Sequence, residues 1–159
     1  MCKLLQQATH KHNTLVAVAV NVPKPSALGH SPTRQGEDTL ERTECYKWIS
    51  FILTELDAPL WTIAKHRFGL PTERRVPGVI ETADWEFRNA VKVLASGFDD
   101  RPYLASTSLT VADILAGHTL LWAKSARLRL GSDSLETYLQ KLLARDAAIR
   151  ASAVAEESA

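Results

Sequence analysis

Residue types able to do chemistry gather in two places in this chain. The first is "LTVADILAGHTLLWA" at positions 109–123, where Thr110 and Asp113 stand three apart directly before an apolar run. This spacing suits a reciprocal helix cap. The Thr110 hydroxyl accepts from the Asp113 N–H, and the Asp113 carboxylate reaches back to the Thr110 N–H. Leu109 and Ile114 add the hydrophobic staple, and Asp113 brings negative charge to the positive end of the helix dipole. A carboxylate held by its own backbone makes a poor proton carrier. Asp113 is therefore expected to serve folding rather than catalysis. The second place is a line of Tyr46, Ser50, Leu53, Asp57 and Trp61, separated by three or four residues each time. On a helix these share one side. They combine aromatic surface, hydroxyl and carboxylate, as the wall of a small-molecule site would. A stripe that packs on another helix or faces water has the same spacing, so both readings stay open.

Other candidates read more plainly. His118 falls on an apolar face and is expected to be a satisfied core histidine. Cys45 lies on an apolar stripe with no adjacent cation to activate it. His10 and His12 form a pair without a third ligand, so no metal site is expected. Lys65, His66 and Arg67 make a basic helix end, expected to be solvated charges that favour the helix C-terminus. A second reading of the three is an anion-binding role. Trp85 lies off its helix's main stripe, beside Thr82 and Asn89, where it faces a partner domain or fills a groove. No glycine-rich phosphate loop and no Ser/His/Asp set stands out.

Composition bounds the classes. The 159 residues make one domain's worth of chain, 45% apolar, with a net charge of +1. No run approaches the ~18 apolar residues of a membrane-spanning helix, and no global field argues for nucleic acid or membrane partners. Cys2 and Cys45 give neither metal spacing nor a disulfide framework, which suits a reducing cytoplasm. Residues 1–36 hold Lys3, Lys11, Lys24 and Arg34 and no acid. Their one apolar stretch, "TLVAVAV" at 14–20, has poor flanks for a secretory signal.

The elements that position these residues follow from periodicity. Residues 1–38 read as an irregular leader dense in Pro, Gly and Ser. From Thr39, an apolar stripe of Leu40, Cys45, Trp48, Ile49, Ile52, Leu53, Leu56, Leu60, Ile63 and Ala64 predicts a helix, kinked or broken at Pro59. "FGLP" at 68–71 stops it, with Gly69 as the expected left-handed cap. A second helix is predicted over Val76–Phe98, with Val76, Ile80, Ala83, Phe87, Ala90, Val91 and Leu94 inward and Gly97, Asp99 and Asp100 ending it. The third is the capped, mostly apolar helix, including Trp122, which belongs at the bundle's centre. The fourth is predicted over Ser134–Ser152, with Leu135, Leu139, Leu142, Leu143 and Ile149 inward. Four helices without a convincing strand pair make an all-α bundle. The expected organisation is an irregular leader at 1–38, a helical domain at 39–151 and a frayed tail at 152–159.

The segment "RPYLAS" followed by Thr110-Val111-Ala112-Asp113-Ile114 resembles the C-terminal helical domain of the glutathione transferase family, with Ser106 where the family usually has Gly. "ERTECYKWISFILTEL" at 41–56 is similar to the family's first helix of that domain. "YLQKLLARDAAIRA" at 138–151 resembles its closing helix, with Asp146 where Pro is usual. The resemblance covers about residues 39–151. It implies a glutathione-transferase C-terminal-like bundle whose first helix lines a pocket for a hydrophobic small molecule, with Tyr46, Ser50, Leu53, Asp57 and Trp61 as that wall. It implies glutathione as co-substrate, no metal, and either a homodimer or a thioredoxin-like partner domain. The family's thioredoxin-like half, which activates the glutathione thiol, does not fit the 38 residues before Thr39. Val22-Pro23 lacks the acidic-Ser pair expected after it. No catalytic residue is assigned, and two further readings stand beside the enzymatic one. These are a non-catalytic helical interaction module and a truncated gene fragment with an unrelated or frameshifted leader.

Overall fold

The computed structural model describes residues 39–98 and 101–150, so the leader, the tail, Asp99 and Asp100 lie outside the described residues. Helices alone order this body: α1 (Thr39–Phe51), α2 (Ala58–Ala64), α3 (Pro77–Ser96), α4 (Val111–Ser125) and α5 (Asp133–Leu143), with no strand among the described residues. A helical turn at 146–150 follows α5.

Between α1 and α2 the backbone widens into a π-helical stretch, Ile52–Asp57, and a second one, Lys65–Gly69, follows α2. Pro59 explains the first. It has no N–H to give to the carbonyl four residues earlier, and its ring crowds that carbonyl. A wider turn just ahead takes up the mismatch. Residues Phe51, Asp57 and Ala58 keep right-handed helical dihedrals. The predicted break at Pro59 is therefore a change of pitch, and Thr39–Gly69 forms one rod. Gly69 is not the left-handed cap expected of it. Leu70, with φ −87° and ψ 156°, turns the chain out of the rod.

The rod packs along α3 through its α2 part, while α1 and the first π-helical stretch lie against α4, and α5 closes on α4. The core holds Trp48, Ile52, Leu56 and Leu60 from the rod, Phe87, Val91 and Leu94 from α3, and Leu135, Leu139 and Leu142 from α5. Ile52, Leu56, Phe87, Leu94, Leu120 and Leu135 are wholly buried; each contributes about 1.5–3 kcal/mol through removal from water.

Helix α4 is the central rod its composition predicted, with Ala112, Asp113, Ala116, Gly117, Thr119, Leu120 and Ala123 buried. Its small residues let neighbours approach: a methyl on Gly117 would lie 3.0 Å from the Leu142 Cδ1. Gly97 has a related role that the sequence did not reveal. Its φ of −82° suits any residue, but an added Cβ would sit 2.1 Å from the Trp48 Cη2. The indole rests where a side chain would be.

Several inward assignments are corrected. Leu40, Leu53, Val76 and Ile149 are exposed. Leu40 and Val76 lie at element ends. The predicted fourth helix stops at Leu143, and the chain turns at 144–145 before the last helical turn. Ile149 therefore leaves the face that Leu139 and Leu142 share.

Candidate functional site

Asp113 has its side chain wholly buried, and its two oxygens accept four hydrogen bonds. Oδ2 takes the Thr110 N–H at 2.7 Å and the Thr110 hydroxyl at 2.7 Å. Oδ1 takes the Leu104 N–H at 2.9 Å and the Tyr138 hydroxyl at 2.7 Å. The return arm expected from the sequence, Thr110 N–H to carboxylate, is present. The bonds to Leu104 and Tyr138 are not legible from spacing, since they join residues 9 and 25 positions away. Through them one carboxylate fastens the 101–110 loop, α4 and α5 together. Burial, and then the Asp113 charge and its hydrogen bond, push the Tyr138 phenol far above its ordinary range. Phe98 stands edge-on to that ring at 4.5 Å between centroids. With its lone pairs committed, Asp113 is built to hold structure.

The line of Tyr46, Ser50, Leu53, Asp57 and Trp61 runs along the outward side of the rod. Tyr46, Ser50, Leu53 and Trp61 are exposed and Asp57 is half-buried. Arg42 lies over the Tyr46 ring, 5.6 Å from its centroid, and the Thr54 hydroxyl donates to the Ser50 carbonyl at 3.0 Å. Trp61, 47% exposed, tilts against Trp122 of α4 with centroids 6.3 Å apart. The two indoles form an aromatic ledge where the rod meets α4. Trp85, 62% exposed, stands on the solvent side of α3.

The remaining candidates separate from this face. Cys45 is a buried free thiol. His118 is half-buried rather than enclosed in the core. His10 and His12 lie outside the described residues; among those described, no group of His, Cys, Asp and Glu is placed to hold a metal ion. The basic rod end is more than solvated charge. The Val76 N–H donates to the His66 Nδ1 at 3.0 Å. Arg75 donates to the carbonyls of Leu70 at 2.8 Å and Phe68 at 3.2 Å. Arg67 reaches the Ala126 carbonyl at 3.1 Å. These bonds fold the 70–76 loop back on the rod and tie the rod to the end of α4.

No family model matches the chain, and no curated protein matches it. Solved structures do. The helices resemble a glutathione S-transferase domain-containing protein from Marinobacter aquaeolei VT8, with 20% identity and a TM-score of 0.65 over 75% of this chain and 61% of that one. Gtt2 from Saccharomyces cerevisiae is similar at 21% identity and a TM-score of 0.67, over 79% of this chain and 63% of that one. URE2P6 from Phanerochaete chrysosporium, a glutathione transferase solved with oxidized glutathione, matches at 21% identity and a TM-score of 0.62, over 77% of this chain and 57% of that one. The chain spans about three-fifths of these structures' length. At such identities the likeness establishes the fold: a helical bundle of the kind found in glutathione transferases.

Proposed function

We propose that this chain is the co-substrate-facing helical part of a glutathione-transferase-like cytoplasmic protein. The observation that carries the reading is the open rod face, with Tyr46, Leu53 and Trp61 exposed on a fold that glutathione transferases share. In this reading the Trp61–Trp122 ledge receives a hydrophobic electrophile through apolar and aromatic contact. Ser50 and Asp57 orient its polar groups. Glutathione is the other reactant. Its thiol becomes nucleophilic only as thiolate, which needs a site that lowers its pKa. A thioredoxin-like partner domain supplies that site.

The test begins with the full chain and a chromogenic aromatic electrophile. Tryptophan fluorescence should quench on binding, and Trp61→Ala should weaken binding about tenfold, the effect of losing about 1.4 kcal/mol. Conjugation to glutathione should then require an added thioredoxin-like domain. Equal binding by native chain and Trp61→Ala would remove the electrophile site. A non-catalytic interaction module is favoured instead by Trp85, a largely exposed indole on α3. Retention of a purified thioredoxin-like domain without turnover, lost in Trp85→Ala, would establish that reading.

A further inference from the structure

We propose that the end of the bundle built from residues 65–76 and 124–136 is a docking surface for an acidic peptide segment of another protein. Arg74, Arg127 and Arg129 are its carboxylate-binding side chains. This inference does not depend on the transferase reading.

Charge is segregated along the molecule. The two segments hold seven Lys and Arg side chains against Glu73, Asp133 and Glu136, while the other described residues carry eight against nine acids. The Arg67 bond to the Ala126 carbonyl joins the two segments into one surface. Part of the charge is already committed. Lys124 pairs with Glu136 at 2.6 Å, and Arg67 and Arg75 hold backbone carbonyls. Arg74, Arg127 and Arg129 are exposed, and their side chains have no hydrogen bond or ion pair among the described residues. Three uncommitted guanidinium forks match the geometry of carboxylates, which they can bind in paired hydrogen bonds.

The backbone at Arg127 adds a second observation. Leu128 N–H donates to the Ala123 carbonyl and Arg127 N–H to the Lys124 carbonyl, both at 2.9 Å. This closes α4 in the manner that normally places glycine at the left-handed position. Here that position is Arg127, with φ 62°. An arginine kept where its own backbone prefers glycine points to a role for the side chain. Arg127 and Arg129 also border a shallow depression of about 410 Å³ whose lining includes Leu128, Leu130 and Gly131.

The same surroundings favour a peptide over a nucleic acid. Asp133 and Glu136 stand on the rim of the depression. A uniformly anionic phosphate backbone would meet them, and beyond the patch the other described residues offer no positive excess. A short acidic segment interspersed with apolar residues can place carboxylates on the arginines and an apolar side chain against the half-buried Leu128 in the depression.

The experiment uses the full chain and a short fluorescein-labelled peptide alternating Glu with Leu, read by fluorescence anisotropy. Binding should weaken as salt rises through about 0.15 M, where exposed charges are screened beyond ~8 Å. The double variant R127E/R129E should lose about tenfold or more in affinity. R127G should lose affinity while melting no lower than the native chain, which separates binding from folding. K92E, at the far end of α3, should bind as the native chain does. Unchanged peptide binding by R127E/R129E would overturn the proposal. So would tighter binding of a single-stranded oligonucleotide of equal charge, or of phosphatidylserine vesicles, than of the peptide.

Discussion

Replacing Asp113 with alanine removes the acceptor of four hydrogen bonds at once. Two of the donors, Leu104 N–H and the Tyr138 hydroxyl, are buried. A buried donor left without an acceptor costs about 1–3 kcal/mol. Loss of the Thr110 arm at the start of α4 adds about 0.5–2 kcal/mol. The Tyr138 hydroxyl can rotate toward another acceptor, so the expected loss is about 3–6 kcal/mol. Domains of this size hold only about 5–15 kcal/mol in total. Asp113→Ala is therefore expected to be marginally folded. Urea unfolding followed by far-ultraviolet circular dichroism measures the loss. Tyr138→Phe leaves three donors on the carboxylate and should cost about 1–2 kcal/mol in the native background. In the Asp113→Ala background the same change should cost close to nothing, because the bond it removes is already gone. A loss below about 1 kcal/mol in Asp113→Ala, or additive costs in the double variant, would refute the view that this carboxylate joins loop, α4 and α5.

Gly97→Ala should destabilise by about 1–3 kcal/mol through overpacking, because the new methyl would collide with the Trp48 ring. Trp48→Phe in the same chain should recover part of that loss, as read by thermal melting. Arg127→Gly should raise stability by about 1 kcal/mol by relieving the left-handed backbone, seen as a shift in the urea midpoint. Tyr138 titrates far above its unfolded value of ~10, so the unfolded chain releases this proton first as pH rises. Its contribution is intact below pH ~10 and falls by up to ~1.4 kcal/mol per pH unit above it. Tyr138→Phe should flatten that alkaline slope; an unchanged slope would show that other groups govern it. The exposed Tyr46, Trp61 and Trp85 should promote self-association, and sedimentation should show a shift toward monomer in Trp61→Asp combined with Trp85→Asp.

Periodicity made most of the core readable. Trp48, Ile52, Leu56, Phe87, Val91 and Leu94 recur at three- and four-residue steps and are buried together. The Thr110–Asp113 pair was legible because a cap is local: both partners lie within one helical turn. Tyr46, Ser50, Leu53 and Trp61 on the rod are exposed, but their spacing alone could not tell a ligand wall from a solvated stripe. Leu40, Val76 and Ile149 were misread because periodicity continues to the ends of the elements, where side chains are exposed.

The linear order of residues determined which segments coil, which side of each is apolar, and where α4 begins, since these depend on contacts within a few positions. Tertiary structure alone decided the rest. It placed Leu104 and Tyr138 on Asp113, set Trp48 over Gly97, and kept the rod continuous past Pro59. It brought Arg67 against Ala126 so that two basic segments became one surface. Each of these joins groups whose meeting depends on how whole helices stack, and side-chain spacing along the chain carries no record of that distance.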